Sequence, residues 1–523
     1  MSRRGLGLLS LLLVALLTMA ACSSDKTDVS QEKEKEKEIT EQTLKVAMQG
    51  IPPALDTHIT GSYMTMEIAR PVYEPLVAFN SKFEPQPMLA EKWEVSDDQK
   101  TYTFHLRQGI KFHNGKEMKA EDVVASMTRW KKLNATAERI LGPGTFEAKD
   151  DYTIVFTLEK PSFLTLNILS SPAQFPGIMP KEIVEGAGEG AVTEFIGTGP
   201  YKVKEYVSDQ FVHLEKFADY QAREEAADGL AGKKEALINE IKLDFVGDAS
   251  TRVSSVITGE YHIVKSLPFD NFDQLDGDEN VTTYTHEAGA DFIVFNKKQG
   301  IFSNQKARQA ILAGLDLNAL SIGIYSEERF FDLNHSLSIP EQVNWYSDAG
   351  KELYNQNNQE KAKELLAEAG YNGEKITIVA SNIESHRFTG IGLQQQLEGL
   401  GMNVELETYE FATLLEYRND PSNWDLYIVD LATEPVPTNY LFFNPSWAGW
   451  TDSPEIQEIL AGIQNAKDQQ EATKLAEELQ SAFYDYVPVI KPSNRQVFNA
   501  TTSNVSGYQF FNSGLIPWNI SLK

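Results

Sequence analysis

The sequence predicts an α/β protein of more than one domain, with mixed sheets flanked by helices. Three observations carry that expectation. Behind a short apolar leader and a charged run, roughly 480 of the 523 residues have globular composition, more than one core usually organises. The single cysteine, Cys22, allows no intramolecular disulfide, so packing alone must hold the fold. Late in the chain, strand and helix patterns alternate with short links, as expected of parallel strands joined by right-handed crossovers.

The elements follow in order. Arg3 and Arg4, an apolar run from Leu6 to Leu17, and Ala20 and Ala21 before Cys22 have the layout of a secretory signal peptide. The apolar run is shorter than the roughly 20 residues a spanning helix needs, so residues 1–21 read as an export signal. A cysteine at that point resembles a bacterial lipobox, with Met19 where the pattern usually has leucine. The resemblance implies that Cys22 is lipidated and tethers the protein to the extracytoplasmic face of the cell membrane. Residues 22–43 include "EKEKEKE" and no aromatic side chain, a composition that cannot offset chain entropy and predicts a disordered linker.

From Leu44 the pattern becomes globular. "LKVAM" reads as a strand ended by Gly50, Pro52 and Pro53. "TYTFHLRQGIKFHNGKEMKAEDVVASMTRW" reads as two short strands and a helix, with Val123, Val124, Met127 and Trp130 on one stripe and Glu121 and Asp122 in the first turn. "NNQEKAKELLAEAG" puts Ala362, Leu365, Leu366 and Ala369 on one face and stops at Gly370. The strand "KITIVAS" follows. A helix with Leu393, Leu397 and Leu400, closed by Gly401, leads to the strand "NVELETYE", and "WDLYIVDL" has the near-continuous apolar character of a buried strand. In open parallel sheets ligands bind beyond the carboxyl ends of strands, which here are residues 381–387, 409–411 and 430–440.

No catalytic engine is legible. "GIKFHNGKE" has five residues between Gly109 and Gly115 where a phosphate loop has four, and reads as a hairpin turn. "GTGPYK" starts like a dinucleotide fingerprint, but Pro200 breaks it. Neither a GxSxG elbow nor an HExxH helix occurs, and the eight histidines are scattered without metal-ligand spacing. The expected catalytic, metal and cofactor sets are therefore empty. A net charge of −28 without a basic patch excludes nucleic acid as a natural partner.

"IPPALDTHITGSYMTMEIARPVYEPLVAFN", "PQPMLAEKWEVSDDQKTYTFHLRQGIKFHNGKEMKAEDVVASM", "FIGTGPYKVKEY", "FNKKQGIFSNQKARQAILAGLD" and "NQEKAKELLAEAGY" together resemble the family 5 extracytoplasmic solute-binding proteins. These are the oligopeptide-, dipeptide- and nickel-binding components of ABC importers. The resemblance implies a two-lobed periplasmic-binding-protein-like fold, type II, of the large class with an extra inserted subdomain. One lobe would comprise residues 44–79, 196–290 and 491–523, with the insert at 80–195, and the other lobe residues 291–490. It also implies a monomer that delivers a small-molecule ligand, a peptide first, to permease and ATPase subunits. A nickel or metal-chelate binder is the alternative, and a lipid-anchored hydrolase the third reading.

Peptide binders of this family generally meet the ligand's ammonium with an acidic residue on the loop after the strand matching "DLYIVDL". Here that loop offers Glu434 and Asp430. Arg387 or Arg418 could meet the opposite carboxylate. Ser381 and Asn382 stand at a strand tip, and Tyr63, Phe175, Tyr440, Trp447 and Trp450 fall in segments that line the cleft in relatives.

Overall fold

Thr43–Met48 opens the described chain as an interior strand, buried on both faces except at Lys45. The computed structural model describes residues 43–512 and 514–523. The expected signal peptide, Cys22 and nearly all of the charged linker lie outside them. Among the described residues no helix is long and apolar enough to cross a membrane.

The first strand joins an eight-stranded sheet drawn from distant parts of the chain. In spatial order its strands are Val281–Glu287, Asn494–Thr502, Ile263–Val264, Thr43–Met48, Glu240–Phe245, Phe211–Lys216 and Tyr201–Val207, with Phe331–Asp332 also paired to Asn494–Thr502. Thr43–Met48 runs parallel to both neighbours, and the pairings beyond them are antiparallel. A second sheet has five strands in the order Asn403–Tyr409, Lys375–Ser381, Leu426–Leu431, Ala290–Phe295 and Val489–Ile490. A four-stranded antiparallel sheet, Ala90–Val95, Thr101–Leu106, Thr153–Thr157 and Thr145–Asp150, is inserted between segments of the first. The fold is thus α/β and two-lobed, with mixed sheets and flanking helices.

The crossover expected from sequence is present. Lys375–Ser381 pairs in parallel with Asn403–Tyr409 from Lys375↔Asn403 to Ser381↔Tyr409, and in parallel with Leu426–Leu431 on its other side. Helix Glu384–Gly399 connects the first two, with Leu393 and Leu397 fully buried. Helix Gln359–Ala369 is capped by Asn358, which accepts from the Lys361 amide, and ends at Gly370 with φ of 88°. Helix Ala120–Leu133 buries Val123, Met127 and Trp130 completely. Asp122 is buried too, because its carboxylate accepts from the Lys119 and Lys181 amides and from the Lys116 ammonium. Only one of the two strands expected before this helix forms, Thr101–Leu106. "GIKFHNGKE" is a tight turn closed by a Lys111↔Glu117 bridge.

One continuous apolar cluster runs from Phe104, Trp130 and Phe156 of the inserted region to Ile378, Tyr427 and Phe443 of the five-stranded lobe. The insert leaves the chain of the first lobe, yet it packs against the second. The Phe163 amide donates to Gln464 O at 2.8 Å, and Gln464 Nε2 donates to Ile140 O at 3.1 Å. A separate core under the eight-stranded sheet contains Leu44, Val46, Tyr73 and Tyr201.

"GTGPYK" is explained by this packing. Gly199 donates to Val72 O at 2.9 Å, and a Cβ at Gly199 would stand 2.3 Å from Pro71 O. A Cβ at Gly197 would stand 2.1 Å from Val72 O. The glycines permit close backbone approach and cradle no phosphate. Gly199→Ala is therefore expected to lower stability by about 1–3 kcal/mol, the usual cost of overpacking. Urea denaturation checks it, and an unchanged midpoint would refute the close-approach explanation.

Candidate functional site

The parallel register brings the carboxyl ends of three strands, Ser381, Tyr409 and Leu431, to one rim. Val281–Glu287 of the eight-stranded sheet passes through residues 288–289 into Ala290–Phe295, whose first residue pairs with Leu431. The two sheets therefore meet where the tips converge, as the open-sheet rule expects.

The rim carries two carboxylates with opposite surroundings. Asp430 accepts from His386 Nε2 at 3.1 Å and pairs with Arg495 at 3.2 Å. Burial works against its charge, but the His386 hydrogen bond and the Arg495 guanidinium hold the carboxyl at about 2. Ser381 Oγ lies 2.7 Å from His386 Nδ1, so Ser381, His386, Asp430 and Arg495 form one hydrogen-bonded chain. It has the members of a Ser-His-Asp triad, but Ser381 and His386 are wholly buried, and the Ser381 oxygen also accepts from the Ile383 amide at 3.3 Å. That serine is committed to holding the helix start and presents no nucleophile.

Asp291 lies beside this chain, 2 % exposed, its carboxyl raised by burial and steadied by the Tyr325 hydroxyl at 3.0 Å.

Glu434 is different. It is half-buried on the loop after Leu426–Leu431, and its carboxylate has no hydrogen-bond or ion-pair partner among the described residues. Burial pushes it up to about 8, against the pull of the Arg139 cation. Tyr63, the first residue of helix Tyr63–Ala69, shares its surroundings. Burial raises that phenol well above its usual value, and Glu434 and Tyr440 add to the rise. Arg139 comes from the inserted helix Ala135–Leu141 and has no salt-bridge partner among the described residues. Three parts of the chain thus couple electrostatically to Glu434: the first lobe through Tyr63, the second through Tyr440, and the insert through the exposed Arg139.

The remaining sequence candidates are distributed unevenly. Asn382 and Arg387 are exposed at the rim, with Asn382 donating its amide to Tyr409 O and Arg387 lying over Phe388. Tyr440 is 5 % exposed and spends its hydroxyl on Leu337 O, so it contributes a buried wall beneath Glu434. Phe175 is buried among the core residues of the first lobe, with Tyr73, Met179 and Val184. Trp447 packs on Tyr427, near the amino end of its strand and away from the tip, with Arg418 over its ring. Trp450 stacks on Trp424 in the core. Arg139, His386, Arg495 and Glu287 were not singled out by sequence reasoning. Of these only His386 carried a local signal, its place five residues beyond the strand-ending Ser381.

Comparison with known proteins agrees with this architecture. The profile for bacterial extracellular solute-binding proteins, family 5 Middle, matches residues 84–481. A probable peptide ABC transporter periplasmic-binding protein of Sinorhizobium fredii is 28 % identical over 89 % of this chain and 91 % of its own. The oligopeptide-binding protein AppA of Bacillus subtilis is 24 % identical over 98 % and 97 %. The solved structure of the ABC transporter substrate-binding protein CtaP from Listeria monocytogenes superposes with a TM-score of 0.77 at 22 % identity, over 89 % of this chain and 95 % of that one. Over the greater part of its length, the chain belongs to family 5 of the bacterial extracellular solute-binding proteins.

Proposed function

We propose that this protein captures short peptides in the cleft between its lobes and delivers them to an ABC import permease and its ATPase. Residues 44–79, 196–290 and 491–523 form one lobe in this reading, residues 80–195 its inserted subdomain, and residues 291–490 the other lobe. The single observation that carries the ligand class is Glu434, a half-buried carboxylate without a cation bonded to it. A peptide ammonium supplies that cation through a charge-assisted hydrogen bond, and aromatic groups at Tyr63 and Tyr440 surround it. Arg139 provides positive charge on the insert side for the ligand's carboxylate. Asp430 is not the anchor in this reading, because His386 and Arg495 already satisfy it. The similarity to peptide-binding relatives supports the same ligand class.

Cys22 is the lipid tether and residues 22–43 the spacer, which keeps the binder at the outer face of the membrane. The Cys22→Ala protein is expected in the medium in a fractionation experiment, and its retention at the membrane would refute the tether.

Mass spectrometry of ligand carried by the purified protein separates the readings: a peptide pool supports the proposal, and a nickel chelate replaces it. For a defined probe, Glu434→Gln is expected to weaken alanyl-leucine by about tenfold or more, the scale of a hydrogen bond to a charged group. N-acetyl-alanyl-leucine, which has no ammonium, should bind both proteins alike. Because Glu434 stands at about 8 with no cation bonded to it, an incoming ammonium expels its proton below that pH. Affinity should therefore rise with pH toward about 8 and fall beyond it as the peptide amine, of pKa about 7.7–8, loses its charge. A flat profile in calorimetric titrations would exclude Glu434 as the anchor.

Asp430 gives the complementary expectation for stability. Its folded value of about 2 lies below the ordinary 3.8, so its contribution is complete above pH 3.8 and is lost as pH falls through 2. Urea midpoints measured through that window should fall less steeply for Asp430→Asn than for the unmodified protein. Parallel curves would show that the ion pair does not act as described.

A further inference from the structure

We infer that Glu287 is a positioning residue for the ligand anchor: from the crossing between the two sheets it grips Thr433 and so fixes where the adjacent Glu434 stands. The inference rests on the reading of Glu434 as the site of the peptide ammonium.

Glu287 ends the strand Val281–Glu287, immediately before the chain passes into the second lobe. Its carboxylate accepts from the Thr433 hydroxyl, from the Gly289 amide at 2.8 Å and from Asn494 Nδ2 at 3.2 Å. Asn494 lies just past the other crossing, residues 491–493, and its Oδ1 accepts from Lys491 Nζ at 2.7 Å. A chain of bonds thus runs from Lys491 through Asn494 and Glu287 to Thr433, joining both crossings to the ligand loop.

Thr433 is 4 % exposed and is held a second time, its carbonyl accepting from Asn512 Nδ2 at 3.3 Å. The next carbonyl, of Glu434, accepts from Gln342 Nε2 at 2.6 Å. Of these three restraints, the Glu287 bond is charge-assisted and reaches the loop from the crossing itself. A displacement of about 1 Å at Thr433 would be passed directly to the Glu434 backbone, and site geometry at that scale decides affinity. Burial raises the Glu287 carboxyl, while the Thr433 hydroxyl, the Gly289 amide, Lys491 and Arg495 favour its charge.

The test compares the affinity ratio of alanyl-leucine to N-acetyl-alanyl-leucine, by calorimetric titration on the full-length protein. This ratio isolates the ammonium contact, which a general loss of packing would not move selectively. Thr433→Val and Glu287→Ala are each expected to reduce the ratio by about tenfold, and the double variant by no more than either alone, as coupled residues do. Thr433→Ser, which keeps the hydroxyl, and Glu287→Gln, which keeps an acceptor oxygen, should preserve it. Thr433→Val keeps the side-chain shape and decides the matter if Glu287→Ala does not fold.

An unchanged ratio in Thr433→Val, or equal losses for both ligands, overturns the positioning role and leaves the anchor reading intact. An unmodified protein that does not distinguish the two ligands refutes the anchor reading, and the positioning role with it.

Discussion

Residues 288–289 and 491–493 carry the backbone between adjoining strands of the two large sheets, and Arg495 binds the two crossings together. Its amide donates to Gly289 O at 2.7 Å, its carbonyl accepts from the Ala288 amide at 3.1 Å, and its guanidinium reaches Ala288 O and Asp430. Burial opposes the guanidinium charge, but Asp430, Asp291 and Glu287 outweigh it, so a cation is maintained at the junction. Gly289 is required there: its φ is 107°, and a Cβ would stand 2.2 Å from Leu431 O. A glycine and an ion pair together let the loop after Leu431 begin against the crossing itself.

The two carboxylates of the rim show how neighbours decide what burial does. Asp430 and Glu434 lie four residues apart, and both are half-buried. Asp430 recovers its hydration from His386 and Arg495 and is held ionised to about 2. Glu434 has only the Arg139 field to set against the same loss and rises to about 8. The first is a strut, since a satisfied ion pair gains little from a third partner. The second has no bonded partner among the described residues, so a cation brought beside it would shift its carboxyl toward the charged form.

Much of the five-stranded lobe was legible because its signals are local. Leu393 and Leu397 repeat at helical spacing, Gly370 and Gly401 mark helix ends at positive φ, and "LYIVDL" is apolar enough to be an interior strand. The rim followed by topology alone, since parallel strands put their ends together. The partners of the rim were not legible, because they arrive from afar. Arg495 reaches Asp430 across 65 positions, and Arg139 reaches the neighbourhood of Glu434 from a helix nearly 300 positions upstream. Nothing within a short window of sequence distinguishes such an arginine from one on the surface. Aromatic residues misled for the converse reason: Phe175 and Trp450 are as apolar as any cleft wall, and the chain buries them in its cores.

The chain Ser381, His386, Asp430 shows why residue types alone do not make a catalyst. A nucleophilic serine must keep a free face toward substrate and a base able to take its proton as charge develops. Here the serine is sealed, the imidazole lies between two fixed partners, and the aspartate is further neutralised by Arg495. Every member is bonded within the fold: Ser381 to His386 and the Ile383 amide, His386 to Asp430, and Asp430 to Arg495. Glu434 and Arg139 differ from that chain in having no hydrogen-bond or ion-pair partner for their side chains among the described residues. Held at about 8, the Glu434 carboxyl is neutral at neutral pH and takes up charge when a cation comes beside it, so its charge is a response to a partner and not a fixed feature.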